Sequence, residues 1–265
     1  MLPFFEINTG VIIIWTVGLV VLNFALILFL GTKKGSAARA FALASTLIAL
    51  EVFLVSIQFG VPPQGIALYS KVASLTYLFG FFIALAFLYF CMVFPHNTKV
   101  PDRTKWFLFV FAALVYPLFL FTDLIAGPYT FLQPDILTFL GAYQWVWGIG
   151  PYMPIYNVVF NGFFIAGIVL LLKKYFAETN SIMRKRLKYM VITLIVGFAP
   201  SGIFSIFLPT IGNFEYNWFG IVAHVGWVSV VSYSIMKYQQ MNVRVLFTEV
   251  LIVGASFLLF LNIFT

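Results

Sequence analysis

The chain has 265 residues, of which 63% are hydrophobic, 20% aromatic and only 9% charged, with a formal net charge of +7. Soluble domains carry about a quarter charged residues and about half apolar ones, so this composition excludes a soluble enzyme, a disordered tail and a nucleic-acid-binding protein. Stretches of about twenty apolar residues recur along the chain, and each can cross roughly 30 Å of hydrocarbon as a helix. The composition predicts a polytopic helical protein of a lipid bilayer.

Eight apolar segments follow one another along the sequence. They cover roughly residues 7–30, 40–59, 70–94, 106–126, 152–172, 189–208, 218–236 and 245–265. We predict an all-α transmembrane bundle in which residues 1–244 form seven core helices. Residues 245–265 are predicted to form an eighth helix that leads toward a C-terminal output region missing from this chain.

The loops between these segments predict the orientation of the bundle. Alternate loops, the first, third, fifth and seventh, hold every basic residue except Lys71; these residues are Lys33, Lys34, Arg39, Lys99, Arg103, Lys105, Lys173, Lys174, Arg184, Lys185, Arg186, Lys188, Lys237 and Arg244. Basic residues accumulate on the cytoplasmic side of membrane proteins, so these four loops are predicted to be cytoplasmic and the N-terminus outside. This predicts a multi-pass protein of the cell (inner or cytoplasmic) membrane, with residues 127–151 as its longest outer loop.

Several features of the apolar segments are typical of helix packing. Ala38, Ala42, Ser45 and Ala49 recur at helical spacing and would let a second backbone approach closely. Pro117 and Pro200 lie inside predicted helices, where each removes a backbone donor. Cys91 is the single cysteine, which excludes an intramolecular disulfide, and its apolar surroundings favour a buried, inert thiol.

The residue inventory gives little support to an enzyme. The sequence has no H-E-x-x-H motif, no nucleophile elbow and no metal-ligand cluster of His, Cys and carboxylates. The seventh segment has no lysine for retinal, and His224 is the one histidine within a helix, so a two-histidine haem is excluded as well. We expect no cofactor and no metal, and whether a longer protein is catalytic stays open.

Seven side chains are candidates for a ligand site because each is polar or amphipathic at membrane depth. They are Glu51, Gln58, Tyr77, Asn157, Asn161, His224 and Trp227. A carboxyl in mid-membrane is costly unless it is paired, neutral or in contact with water, so a functional interpretation is the default for Glu51. Asparagines four residues apart share a helix face, although polar groups in membrane helices often only hydrogen-bond to neighbouring helices. Packing is the alternative for every member of the set.

Glu51 and His224 are predicted to lie at similar depth. Counting from the outer ends of their helices, at about 1.5 Å per residue, their depths differ by about 3 Å. Pairing, or a neutral Glu51 that donates to His224, would relieve the cost of burying either group. The alternative is that His224 simply hydrogen-bonds to a backbone carbonyl.

Two stretches in the second half resemble bacterial sensor histidine kinases. MRKRLKYMVITLIVGFAPSGIFSIFLP resembles the place where a basic cytoplasmic segment enters a helix that ends outside at proline, and SYSIMKYQQMNVRVLFTEVLI resembles the link after the seventh helix of multi-helix input domains. The motifs that carry this resemblance cover about residues 183–252. The resemblance implies the membrane sensor domain of a homodimeric two-component kinase. A kinase is absent from this chain, so a response regulator would be reached only through a further domain. We expect an N-terminal fragment or a stand-alone sensor.

Three functions remain open from the sequence. The first is a sensory module that passes a small-molecule or membrane-derived signal to a cytoplasmic kinase by population shift. The second is a small-solute transporter or channel subunit, for which Glu51, His224 and Asp123 are the buried ionisable candidates. The third is a structural membrane partner with no ligand of its own. A ninth helix and kinase motifs in the reading frame beyond Thr265 would favour the first.

Overall fold

The protein folds into a helical bundle, seen in a computed structural model that describes residues 5, 7–31, 36–121, 126–131, 145–208 and 216–238. The helices in these ranges are α1 (Thr9–Gly31), α2 (Ser36–Gly60), α3 (Ile66–Val93), α4 (Asp102–Phe121), α5 (Met153–Ala177), α6 (Ser181–Gly202) and α7 (Asn217–Tyr238). A 3₁₀ turn (Pro63–Gly65) precedes α3 and a π-helical turn (Ile203–Phe207) follows α6. A helix occupies each of the first seven apolar segments. That all seven form a transmembrane core stays a prediction, and the predicted eighth helix, 245–265, lies outside the described residues.

Four of the helices are long and apolar enough to cross a membrane. These stretches are Thr9–Leu30, Ala37–Gly60, Ile66–Val93 and Met153–Ala177, in α1, α2, α3 and α5. Each contains 22 or more residues, which exceeds the about 20 that a bilayer crossing requires. The chain is therefore a membrane protein, as its composition predicts.

The contacts between helices close a ring. Along it α1 packs on α2, α2 on α3, α3 on α5, α5 on α6, α6 on α7 and α7 back on α1, while α4 packs against α3. The Asn8 side chain donates to the Phe59 carbonyl at 3.0 Å, which joins the start of α1 to the end of α2. Ser201 near the end of α6 donates to the Gly220 carbonyl near the start of α7 at 3.0 Å. Sequential neighbours in the ring therefore run antiparallel at these two places.

Small residues on α2 lie in the centre of the main core, as predicted. Ala38, Ala42, Ser45 and Ala49 are at most 1% exposed, and the core that surrounds them includes residues from α1, α3, α5, α6 and α7. Cys91 is a free, fully buried thiol, which confirms the prediction for it. A second cluster joins α3, α4 and α5 around Phe81 and Phe119.

Helix α6 begins earlier than its apolar segment indicates. It starts at Ser181 instead of 189, because the basic run of residues 184–188 continues the helix. The Asn180 side-chain oxygen accepts the backbone N–H groups of Ile182 and Met183 at 3.0 and 3.2 Å. These two bonds satisfy donors that the first turn of a helix leaves unpaired. Hydropathy marks where a membrane segment ends, whereas this cap marks where the helix begins.

The predicted outer loop contains a short β-hairpin, a local feature of a fold that is otherwise helical as predicted. Strand β1 (Ala126–Phe131) pairs antiparallel with β2 (Trp145–Ile149), with an irregularity between Gly127 and Thr130. Strand β1 also contacts α3. A segment outside the bundle has no helix in which to pair its backbone groups, and strand pairing satisfies them instead. The fold is thus a helical bundle with a short hairpin between α4 and α5.

Candidate functional site

A polar cavity lies between five helices of the ring. Its interior volume is about 90 Å³, well above the roughly 10–15 Å³ that holds one water molecule. Residues from α2, α3, α5, α6 and α7 line it, and they include six of the seven predicted site residues: Glu51, Gln58, Tyr77, Asn157, His224 and Trp227. The structure thus brings together side chains that are up to 176 positions apart in sequence. That these residues bind a ligand stays a prediction.

The cavity occupies one end of the bundle. Its lining comes from the C-terminal half of α2, the N-terminal halves of α5 and α7, the N-terminal half and middle of α3, and the last residues of α6. These parts lie opposite the ends of the helices that adjoin the basic loops. The cavity is therefore in the half of the protein that the charge distribution predicts to face outward.

Glu51 lies against α3 at Gly80, where there is no side chain. A Cβ atom at Gly80 would lie 3.4 Å from Glu51 Oε1 and 3.0 Å from the hydroxyl of Tyr156. The Tyr156 hydroxyl donates to the Tyr77 carbonyl at 3.3 Å, and the two tyrosine rings meet edge to face at 5.5 Å. Gly80 thus makes the space in which a carboxyl from α2 and a phenol from α5 come close together.

Gln58 closes the wall between α2 and α3. It is 4% exposed and donates through Nε2 to Thr76 Oγ1 at 2.6 Å, and the Thr76 hydroxyl donates in turn to the Val72 carbonyl at 3.0 Å. This chain of hydrogen bonds holds the two helices together at the cavity. Part of the role of Gln58 is therefore helix packing, which was the alternative for it.

The two asparagines of α5 have different surroundings. Asn157 lines the cavity, and its side-chain oxygen is buried without a hydrogen-bond partner among the described residues. Asn161 donates through Nδ2 to the carbonyl of Asn157 at 2.7 Å and is not among the lining residues. Asn161 bonds to its own helix, which fits the packing interpretation for this residue and removes it from the cavity.

The opposite wall consists of α6 and α7. Trp227 is 3% exposed, packs edge to face on Phe41 at 6.0 Å, and has a buried ring nitrogen without a partner among the described residues. The ring of His224 lies 6.3 Å from that of Trp227, and its Nδ1 is likewise buried and unbonded, with the Ile221 carbonyl nearby. Buried donor and acceptor groups without a partner are rare and costly in folded proteins.

Glu51 and His224 share the cavity without bonding to each other. The ion pairs of the described residues are His96–Glu178 and Lys105–Asp102, and neither Glu51 nor His224 is in them. Of the two possibilities that the sequence leaves open, direct pairing is therefore absent from this arrangement. Both side chains line one cavity, which agrees with their similar predicted depth. Depth in the membrane does not determine the lateral distance between two helices.

The cavity contains few ionisable side chains. Among the described lining residues there is no lysine or arginine, and Glu51 is the one carboxyl. No group of three His, Cys, Asp or Glu residues suited to a metal ion exists in the described part of the chain. The lining otherwise consists mainly of aliphatic and aromatic side chains, a composition typical of sites for small molecules.

Sequence reasoning missed Tyr156, Gly80, Thr76 and Ser201, all of which line the cavity. Thr76 and Ser201 resemble ordinary helix residues, and a tyrosine near an interface is usually an anchor. Gly80 offered one usable signal, because a glycine inside an apolar helix often marks close approach of a neighbour. The other three residues give no signal that distinguishes them before the helices are assembled.

Polar contacts at the basic end join three helices. Lys174 of α5 donates to the carbonyls of Cys91 and Met92 at 2.9 and 2.6 Å and to that of Phe94, so it caps the last turn of α3. Cations are favourable at this end of a helix. Asn97 accepts the backbone N–H of Ala37, near the start of α2, at 3.1 Å.

Glu178 extends this set of contacts beyond the end of α5. Its carboxylate contacts the ring Nε2 of His96 at 2.7 Å and accepts the backbone N–H of Asn180 at 3.0 Å. The Asn180 N–H, followed by His96, lowers the pKa of Glu178 from its ordinary 4.5. Specific hydrogen bonds thus connect α2, α3 and α5 at the basic end.

Comparison with known proteins assigns no family to the chain. No protein-family model matches it, and no curated protein matches its sequence. The class is therefore defined by fold and site alone: a helical membrane protein with a mainly apolar cavity in one half of its bundle, into whose lining a few polar side chains enter.

Proposed function

We propose that this chain is a membrane-embedded sensory module that binds a small polar molecule in the cavity. One observation carries the proposal: Asn157 on α5 and Trp227 on α7 line one cavity, and each has a buried polar atom without a partner among the described residues. A buried polar atom without a partner costs about 1–3 kcal/mol, and a ligand that bonds to it removes that cost. A ligand that bonds to both would favour one spacing of α5 and α7.

The orientation belongs to the proposal. All seven helices would span the cell (inner or cytoplasmic) membrane with the N-terminus outside, which the placement of 14 of the 15 basic residues on alternate loops supports. In that orientation the cavity lies in the outer half of the membrane, where a solute from outside would reach it first.

The signal would cross the membrane by population shift. A ligand that binds one arrangement of α5, α6 and α7 more tightly raises the population of that arrangement. Near the cavity, α6 contains Pro200 and continues into the π-helical turn Ile203–Phe207, and such turns are places where helix backbones rearrange. The same helix begins in the basic segment at the opposite end, so a movement of α6 connects cavity and cytoplasm.

The output we propose is a histidine kinase, joined through further helices. The resemblance of residues 183–252 to sensor kinases supports this assignment, and it also supports a homodimer whose response regulator is reached through the kinase domain. Of these residues, 209–215 and 239–252 lie outside the described part of the chain.

The test compares two substitutions on one helix. In the protein joined to its kinase through a ninth helix, Asn157→Leu puts an apolar side chain into the cavity, whereas Asn161→Leu changes a residue outside it. We expect Asn157→Leu to change kinase autophosphorylation in membrane vesicles several-fold and Asn161→Leu to leave it near wild type. Equal output from wild type and both variants would contradict a sensory role for the cavity.

The alternative is a small-solute transporter, and Glu51 is the residue that favours it. Carboxyls inside a membrane often mark solute and ion pathways. Vesicles containing residues 1–265 would then accumulate labelled small amines, amino acids or sugars in a saturable way. Saturable uptake that Glu51→Gln abolishes, with Asp102→Asn as the surface control, would replace the sensory proposal by transport.

A further inference from the structure

The chemistry of the cavity defines the class of molecule that fits it. We infer that the ligand is a small organic cation, an amine in its ammonium form that also carries an oxygen acceptor. The inference rests on the proposed function, since it names the ligand of the same cavity.

Charge is the first argument. Glu51 contributes a carboxyl to the cavity, the described lining has no lysine or arginine, and no described residue forms an ion pair with Glu51. A carboxylate in a low-dielectric site is stable only with a countercharge or hydrogen-bond donors. An ammonium group supplies both, whereas an anionic ligand would add a second negative charge.

Aromatic rings are the second argument. Tyr156 and Phe160 stack at 5.7 Å, Phe160 and Phe164 lie 5.0 Å apart, and Tyr77 meets Tyr156 edge to face. All four line the cavity together with Trp227. Ring faces attract organic cations and repel anions, and this attraction grows where water is excluded. A carboxyl beside several rings is a combination that selects an ammonium ion over a neutral solute of equal size.

Hydrogen-bonding capacity is the third argument. The side-chain oxygen of Asn157 is an acceptor, which an ammonium N–H matches, and the indole nitrogen of Trp227 is a donor only, which requires an acceptor on the ligand. A hydroxyl or ether oxygen two or three bonds from the nitrogen meets that need. A divalent metal ion fits less well, because the described residues hold no cluster of three metal-binding side chains.

Three small probes of nearly equal size test the charge of the ligand. Ethanolamine is the cation, ethylene glycol its neutral analogue and glycolate its anionic analogue. Each is added to the detergent-solubilised chain at matched ionic strength, and thermal unfolding is followed by tryptophan fluorescence. We expect ethanolamine alone to raise the unfolding midpoint, in a saturable manner, by a few degrees at saturation. Equal shifts with all three probes, or no shift with ethanolamine, would overturn the inference.

Two variants then locate the effect. Glu51→Gln keeps the size of the side chain but replaces the carboxyl by an uncharged amide, so it should require at least about tenfold more ethanolamine for the same shift. Asp102→Asn removes an exposed carboxylate at the far end of the protein and should respond like wild type. If Glu51→Gln does not fold, Phe160→Leu removes one ring face and should weaken the ethanolamine response instead. An unchanged response in the folded cavity variants refutes a cation held at this place.

Failure here and failure of the sensory proposal are separate results. Stabilisation by ethylene glycol or glycolate would retain a ligand cavity but exclude the cation, whereas the Asn157→Leu and Asn161→Leu comparison decides whether the cavity controls a kinase at all.

Discussion

Replacing Gly197 by alanine measures how closely α6 and α7 approach each other. A Cβ atom at Gly197 would lie only 2.1 Å from Trp227 Cβ and 2.8 Å from its Cγ, whereas ordinary contact begins at 3.4 Å. The Cβ of Trp227 moves only with its backbone, so the helices would have to separate by about 1.3 Å, the difference between contact and clash distances. We therefore expect the Gly197→Ala variant to be strongly destabilised, and the wall of the cavity to move with Trp227.

The magnitude follows from the cost of overpacking. Inserting atoms into a packed core costs about 1–3 kcal/mol, and a clash between two Cβ atoms belongs at the upper end. Since 1 kcal/mol corresponds to about 2–4 °C in chains approaching this length, the unfolding midpoint should fall by roughly 6–12 °C. Gly226→Ala is the matched control on α7, because a Cβ there meets no atom within 4 Å. That variant should be unchanged or more stable by about 0.5–1 kcal/mol.

The single cysteine provides the assay. Cys91 is 0% exposed, so a maleimide that fluoresces on reaction reports only molecules in which the core has opened. Wild type, Gly197→Ala and Gly226→Ala are heated with the reagent in the same detergent. If the midpoints of the two variants agree within about 2 °C, the close contact between Gly197 and Trp227 does not exist and the argument is refuted.

Three further predictions concern the basic end and the orientation. Lys174→Met should lower the free energy of unfolding by about 1–3 kcal/mol in the maleimide assay, because the carbonyls at the end of α3 lose their donor. The same change at the exposed Lys173 should have little effect. The lowered pKa of Glu178 means that folding favours the ionised carboxylate, so its contribution to stability is present above pH 4.5 and lost as the pH falls through the lowered pKa. Glu178→Gln should therefore lower the unfolding midpoint near neutral pH and match wild type in acid. Equal midpoints at every pH would show that the contact with His96 contributes nothing to stability. An alkaline phosphatase reporter should be active when fused after Gly65 and silent after Thr179, and the reverse pattern would overturn the orientation.

The sequence by itself predicted the class of protein and much of the site. Apolar length requires helices in a bilayer, because backbone groups in hydrocarbon must pair within their own segment. The small residues Ala38, Ala42, Ser45 and Ala49 are buried as their spacing indicates. Six of seven candidate residues share a cavity, since polar side chains at membrane depth are too costly to face lipid and turn inward together.

The sequence does not show which helices are neighbours. The tertiary structure alone decides the side-chain contacts that depend on this arrangement. Depth along a helix can be counted from the sequence, but which helices are neighbours cannot. Whether Glu51 and His224 pair therefore stayed open until the structure placed both in one cavity without a bond between them. The ring of helices also made Tyr156 a partner of Tyr77 and left Asn161 bonded to its own helix. Lys174 reads in the sequence as one of many cytoplasmic charges, and only the parallel course of α3 and α5 makes it a helix cap. Helix formation is local and visible in composition, whereas each of these contacts joins residues brought together by packing alone.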